Sequence, residues 1–267
     1  MTDNNSFKIQ FLCWNVLKAE YCSSIEFPYV KETCLDWYHR FVLFQQFLRD
    51  HPVDLLYLTE VDKYQDFFAP LLVELNYRVF IEYNNDIVAY RSSTIVIPSK
   101  NTILFEHGNQ CYVRIEIIPN IIVYCVHLEN DINFKEVRLL QVNQLLQDAD
   151  NAKNSENTII LMGSFNDDPA FEVIQSILKN GYDWLNENME FTFFKRKEIL
   201  QRSVKDYVFV KRNSSNFMKS ESSVFTYDLE VLMHIEWSTG LPNNFIPSCH
   251  IPLLVDLFFK SRILYSS

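Results

Sequence analysis

The sequence of 267 residues contains only four glycines, Gly108, Gly163, Gly181 and Gly240. They are too few and too widely spaced to build a glycine-rich phosphate loop of the Walker or dinucleotide-binding type. No apolar run reaches the roughly 20 residues needed to span a bilayer, and the amino-terminal segment MTDNNSFKIQ lacks the charged-then-apolar pattern of a secretory signal. The sequence therefore excludes the commonest nucleotide-binding architectures, and we expect a soluble cytoplasmic protein with no membrane partner.

Paired C-x-x-C spacing is also absent among the six cysteines, which are Cys13, Cys22, Cys34, Cys111, Cys125 and Cys249. Several of them lie in apolar runs, where a free thiol behaves as a small hydrophobic group, so we expect reduced and mostly structural cysteines. The formal net charge of -10 argues against a broad basic face for long nucleic acid, although a local basic patch remains compatible with it.

The composition is that of a folded protein, with 48% hydrophobic and 15% aromatic residues. Apolar periodicity predicts strands over 8–15, 54–59, 78–83, 86–91, 111–117, 121–127, 158–165, 205–210 and 252–259, and helices near Pro70 and over 37–50, 134–152 and 171–180. No internal repeat or long linker interrupts this alternation. The pattern favours one domain over 1–267, of the α/β class, with helices covering sheets on the outside.

Several predicted strands begin or end at polar residues of the kinds that bind metals and phosphate. These are Asn15, Glu60, His127, Asn166, Asp206 and His250. Each one alone has an ordinary explanation, because strand-end Asn and Asp commonly cap turns and a loop Glu or His is usually solvated. Together they supply the oxygens that a hard divalent cation prefers and the histidines that phosphate hydrolysis uses.

Six short motifs containing these residues occur in a characteristic order. They are WNVL at 14–17, LTEVD at 58–62, VHLE at 126–129, GSFN at 163–166, DYVF at 206–209 and SCHIP at 248–252. In order and spacing they resemble the endonuclease/exonuclease/phosphatase superfamily. The segments TEVDKYQDFFAPLLVELNYR, NQCYVRIEI, VRLLQ and LPNNFIPSCHIPLLVDLFF are similar to its nocturnin-like, deadenylase branch. The resemblance implies a four-layer sandwich of two mixed β-sheets flanked by helices, deoxyribonuclease I-like, with a cleft at one edge of the sheets.

The resemblance also implies roles for individual residues. Glu60 and Asn15 match the positions that hold Mg²⁺, whereas His127, Asn166, Asp206 and His250 match catalytic positions. The ligands implied for such a site are an RNA 3′ end or a nucleotide phosphate such as a dinucleotide 2′-phosphate. A nuclease acting at apurinic sites in DNA shares the superfamily, but the nocturnin-like segments make it the weaker interpretation.

Two positions depart from the family pattern, because Ser164 and Cys249 stand where the family has aspartates. A serine is uncharged at neutral pH and cannot act as a useful base toward water. Asp167 and Asp168 follow too far along the chain to replace it without a remodelled loop, and we interpret them as a turn and a helix start. Cys249 is best read as an ordinary thiol. The alternative is a zinc site with Glu60 and His250, since thiolate suits zinc better than a hard cation.

The sequence thus predicts a catalytically degenerate protein that acts in ligand or partner binding, with Mg²⁺ binding weak or absent. The alternative is a metal-dependent phosphohydrolase with an altered site. A protein partner is compatible with either interpretation.

Overall fold

The computed structural model describes residues 6–83, 85–118, 120–152, 156–211, 217–219, 221–227 and 239–260. Its strands are β1 (Ser6–Asn15), β2 (Leu55–Thr59), β3 (Arg78–Tyr83), β4 (Asp86–Tyr90), β5 (Ser99–Leu104), β6 (Cys111–Ile117), β7 (Ile121–His127), β8 (Thr158–Ser164), β9 (Tyr182–Trp184), β10 (Phe193–Arg196), β11 (Leu200–Ser203), β12 (Asp206–Lys211), β13 (Ser223–Phe225) and β14 (Leu253–Lys260). The α-helices are α1 (Glu32–Leu35), α2 (Trp37–Asp50), α3 (Ala69–Glu74), α4 (Lys135–Ala152) and α5 (Glu172–Lys179). Short 3₁₀ turns cover Ala19–Tyr21 and Ile132–Phe134, and a π-helical turn covers Tyr64–Phe68.

Twelve of these strands form two six-stranded mixed sheets. The first sheet has the order β13-β14-β1-β2-β4-β3, and the second has the order β5-β6-β7-β8-β12-β9. Each sheet contains one parallel pair, β1 with β2 in the first and β7 with β8 in the second. The hairpin β10–β11 lies outside both sheets.

The apolar residues of each strand alternate between two separate cores, as expected for strands that are covered on both faces. On β1, Phe11 and Cys13 pack between the two sheets, whereas Leu12 and Trp14 pack with α2 and α3 on the outer face of the first sheet. The outer face of the second sheet is covered by α4 and α5. The predicted four-layer sandwich, helix–sheet–sheet–helix, is therefore confirmed.

A buried arginine connects α2 to the loops at one end of the first sheet. Arg40 has no exposed surface, and its guanidinium donates to the carbonyls of Val16, Leu17 and Pro247, each at 2.6 Å. A buried cation is tolerated only when hydrogen bonds replace its hydration. These three bonds fix the chain after β1 and the chain before β14 relative to each other.

Gly163 lies at the closest approach of β7 and β8. Its φ is +142°, and a Cβ at this position would lie 1.9 Å from the carbonyl oxygen of Val126. No other residue type fits here without moving one of the two strands. The glycine therefore lets the last residue of β8, Ser164, sit directly beside the end of β7.

The structure differs from the sequence prediction in several short elements, because β5, β9, β10, β11 and β13 were not predicted. Asp167 and Asp168 lie in the turn segment that precedes α5, which begins at Glu172. The buried carboxylate of Asp167 lies 3.7 Å from Arg138 of α4, and Asp168 pairs with Lys205 at 3.3 Å.

All six cysteines are buried and unpaired, as the sequence predicts. Within the ranges described above, no helix is both long enough and apolar enough to cross a bilayer.

We predict that Arg40→Met lowers the free energy of unfolding by about 3 kcal/mol or more, because buried carbonyls lose a charged donor. Urea denaturation followed by circular dichroism measures this loss. Arg49→Met is the matched control. Arg49 lies in the same helix and pairs with Glu74 at the surface, so its loss should cost less than about 1 kcal/mol. Equal costs for the two variants would contradict the prediction.

Candidate functional site

The ends of three neighbouring strands place polar residues in a row across the second sheet. Ser164 at the end of β8 is in register with His127 at the end of β7 and with Asp206 at the start of β12. Residues in register on adjacent strands lie about 5 Å apart and point to the same face of the sheet. Ser164 therefore lies between a histidine and an aspartate.

The first sheet contributes Asn15 and Glu60 to the same edge. The Asn15 amide donates to Glu60 Oε1 at 2.8 Å, while its own Oδ1 accepts from the Leu17 N–H at 2.9 Å. The second Glu60 oxygen accepts from the Lys18 N–H at 3.4 Å. Glu60 has a φ of +60°, a backbone conformation that is costly for a residue with a side chain and is found mostly at functional sites.

His250 and Asp206 join the two sheets. His250 Nδ1 lies 2.7 Å from Asp206 Oδ2, and both side chains are buried. Thr192 Oγ1 accepts from the Asp206 N–H at 2.9 Å. Ser248 accepts from the His250 N–H and donates to the Asn15 carbonyl at 2.8 Å. The other oxygen of Asp206, Oδ1, is buried with no hydrogen-bond partner among the residues that the structure describes.

A second histidine–carboxylate pair was missed by the sequence reasoning. His127 Nδ1 lies 3.1 and 3.2 Å from the two oxygens of Asp86. The buried hydroxyl of Tyr57 donates to Asp86 Oδ2 at 3.1 Å. Asp86 is the first residue of β4, so the signal available was a charged residue opening an otherwise apolar strand. That signal is weak, because such residues more often end in solvent.

The charge of His127 is set by its carboxylate neighbours. Burial alone would lower the pKa of this imidazole, but the charges of Asp86, Glu60 and Asp206 outweigh burial and raise it to about 9. The ring is therefore a cation at neutral pH, with Nδ1 held by Asp86 and Nε2–H left as a donor. His250 is likewise held through Nδ1, so the site has two oriented imidazoles suited to an oxyanion ligand.

Ser164 and Cys249 contribute neutral side chains to the candidate site. The Ser164 hydroxyl donates to Asn166 Oδ1 at 3.3 Å, and the Asn166 amide donates to the Leu128 carbonyl at 2.9 Å. Burial, and next the charge of Glu60, raise the pKa of the Cys249 thiol well above its ordinary value. Cys249 therefore stays protonated and packs in an apolar cluster with residues such as Phe27 and Ile251.

The donor set does not fit a tightly bound metal ion. Among the described residues, no group of three or more His, Cys, Asp or Glu side chains could hold one. Glu60 supplies a single carboxylate, and the Asn15 oxygen already accepts one hydrogen bond, from the Leu17 N–H. The zinc alternative gains no further ligands, because Cys249 packs in an apolar cluster and no such group of three includes it among the described residues.

Two six-stranded sheets packed face to face, with a polar site at one edge, define the deoxyribonuclease I-like class of fold. A protein-family model described as "Endonuclease/Exonuclease/phosphatase family" matches residues 12–229 of the sequence. The chain therefore belongs to this family.

The fold, and one part of the sequence, are similar to those of known proteins. The fold is similar to that of ANGEL2, a 2′,3′-cyclic phosphatase, with a TM-score of 0.77 and 16% identity over 96% of this chain and 97% of that one. The human nocturnin catalytic domain has a TM-score of 0.68 and 22% identity over 95% of each chain. The Ccr4 3′-5′-exoribonuclease subunit of the CCR4-Not complex of Neurospora crassa is 32% identical over 73 residues, which are 27% of this chain and 9% of that protein.

We predict that Asp86→Asn lowers the pKa of His127 well below 9, because burial still disfavours the cation and its nearest anion is gone. The folded-state pKa of about 9 lies above the ordinary value of 6.5. The pair therefore stabilises the fold fully below about pH 6.5, and this stability is lost as the pH rises through about 9. An NMR titration of His127 measures the shift, and unfolding at several pH values measures the lost pH dependence. The exposed change Asp50→Asn should alter neither quantity.

Proposed function

We propose that this protein is a catalytically degenerate member of its family, whose cleft binds the phosphate of a nucleotide or an RNA 3′ end without hydrolysing it efficiently. The observation that carries this proposal is the neutral hydroxyl of Ser164 between His127 and Asp206. Two histidine–carboxylate pairs remain in place around a position that has lost its charge.

The remaining side chains favour binding of a phosphate. The cationic ring of His127 and the Asp206-held ring of His250 present donors toward the same edge of the sheets. Charge-assisted hydrogen bonds of this kind are roughly twice as strong as neutral ones. The net charge of -10 favours a small nucleotide or a chain end over a long polyanion.

The relatives point to the same chemical class of ligand. ANGEL2 was solved with adenosine-2′,3′-vanadate, nocturnin with a sulfate anion, and Ccr4 is a 3′-5′-exoribonuclease subunit. These ligands and substrates support an adenine nucleotide or an RNA 3′ end as the occupant of this cleft.

The site lacks a charged base and enough carboxylates for efficient metal-dependent hydrolysis. Ser164 cannot take a proton from water or stabilise an attacking hydroxide through its charge. Loss of one aspartate from a catalytic unit costs on the order of 10⁴ in turnover. Members of this family are generally metal-dependent, and the donors around Glu60 provide one carboxylate where several are needed.

Two further points belong to this proposal. A protein that binds a nucleotide or RNA end without cleaving it acts through a partner or by sequestering its ligand, so a protein partner is part of the proposal. The reduced cysteines favour a reducing compartment such as the cytoplasm.

The second candidate function is that of a phosphohydrolase with an altered site. The intact pairs of His127 with Asp86 and of His250 with Asp206 favour it.

We predict that Mg²⁺ binds with a dissociation constant on the order of millimolar or weaker, because a hard ion needs more charge than Glu60 supplies to replace its water shell. Isothermal titration calorimetry on the metal-free protein measures this constant. Cys249→Asp should tighten binding by adding a second carboxylate near Glu60. A micromolar constant for the wild type would show that another acid enters the site.

We predict that the double change Ser164→Asp with Cys249→Asp gives phosphohydrolase activity well above that of the wild type. Asn166, Asp206 and His250 already stand at matching positions, so the two acids complete the set. The gain in turnover from the double change should exceed the sum of the gains from the two single changes, because the effects of residues that act as one unit are not additive. The assay measures turnover of short oligoadenylate and of a dinucleotide 2′-phosphate at matched Mg²⁺ concentration.

The control for this assay is the double variant carrying His250→Ala as well, which should return to the wild-type rate. If the wild type turns over either substrate within about tenfold of the double variant, the degenerate interpretation fails, since one lost aspartate should cost far more. The altered-site phosphohydrolase then takes its place.

A further inference from the structure

Two exposed phenylalanines and a lysine lie where the loops after β7 and β8 lead into helices: Phe134 and Lys135 at the beginning of α4, and Phe171 directly before α5. Phe134 is 47% exposed and Phe171 is 40% exposed, which is high for rings of this size. Lys135 Nζ lies 4.1 Å from the centre of the Phe171 ring. We call Phe134, Lys135 and Phe171 the aromatic rim.

The topology places the aromatic rim at the same edge of the second sheet as the candidate site. The two loops follow β7 and β8, which are parallel neighbours and so end at the same edge of the sheet. Asn166 joins the beginnings of both loops through its bond to the Leu128 carbonyl. The Phe171 N–H donates to the Asp168 carbonyl at 3.0 Å, and Asp168 pairs with Lys205, the residue before Asp206.

Buried polar contacts hold the loops of the aromatic rim in place. Arg138 of α4 donates to the carbonyls of Asp131 at 2.7 Å and Glu129 at 3.3 Å. The Tyr207 hydroxyl donates to the Asp167 carbonyl at 2.7 Å. An aromatic ring that is exposed yet mounted on a fixed loop offers a stacking surface whose ordering cost is already met by the fold.

We infer that the aromatic rim is a nucleobase-binding subsite, with the base of the bound nucleotide stacked on Phe171 while its phosphate lies at His127 and His250. This inference rests on the proposed function. Aromatic rings stack on any nucleobase, so this subsite selects nucleotides over simple phosphate esters without strong preference among bases. The Lys135 ammonium lies over one face of the ring, so the base stacks on the opposite face, and the positive charge suits an anionic nucleotide and disfavours a cationic peptide.

Calorimetry with two probes, adenosine 3′-monophosphate and inorganic phosphate, tests the inference on the full chain. Phe171→Ala should weaken binding of the nucleotide about tenfold, because base stacking is lost, and should leave phosphate binding unchanged. Phe171→Tyr keeps an aromatic ring and should keep wild-type affinity for the nucleotide. Tyr38→Ala is the matched control, because Tyr38 is 69% exposed but lies on α2, in the helix layer outside the first sheet.

The two probes separate the failure of this inference from the failure of the proposed function. If Phe171→Ala binds both probes like the wild type, the nucleobase subsite is wrong and the phosphate site stands. If Phe171→Ala loses affinity for both probes equally, the residue acts on the fold of the loop and the inference is overturned. If the wild type binds neither probe, the proposed function fails and the subsite fails with it.

Discussion

The hydrogen bonds of one buried guanidinium hold the candidate site in its shape. Arg40 reaches from α2 to the carbonyls of Val16, Leu17 and Pro247. Asn15, the last residue of β1, directly precedes Val16 and Leu17. Pro247 lies three residues before His250. Because the cation is fully buried and these carbonyls are its acceptors, neither segment can move without exposing unsatisfied charge. The packing of an outer helix thus fixes the distance between two sets of functional side chains.

Within that frame, backbone pairing and apolar packing position Ser164 and Cys249, the two neutral side chains of the candidate site. Ser164 occupies its place in the row because the register of β7, β8 and β12 depends on backbone bonds. Cys249 is accommodated by an apolar cluster that accepts a neutral thiol. The Ser164 hydroxyl is paired with Asn166 Oδ1, whereas Asp206 Oδ1 is buried without a hydrogen-bond partner among the described residues. The charges that act at the site are those of the His127 cation and of the carboxylates of Asp86, Glu60 and Asp206.

The sequence predicted the large periodic elements well and the small or long-range features poorly. The helix over 37–50 and most core strands were predicted because their apolar periodicity extends over many residues. The hairpin β10–β11 was missed because its four-residue strands pack outside both sheets and show no alternation. The contacts of Asp86 with His127 and of Asp167 with Arg138 depend on pairing between distant segments, which no local pattern specifies. The order of the six motifs supplied the positions of the other site residues.

Gly163 has a role in the fold that does not depend on any chemistry at the site. A side chain at this position would meet the Val126 carbonyl at 1.9 Å, so selection for folding alone is enough to retain the glycine. Arg40 is subject to the same kind of selection, since the fold needs its hydrogen bonds whether or not the cleft turns over a substrate. Among homologues of this chain, residues that are conserved because the fold needs them would therefore report common ancestry. The side chains at 164 and 249 are not fixed by such a backbone constraint, so their identities among homologues would report on the chemistry of the site.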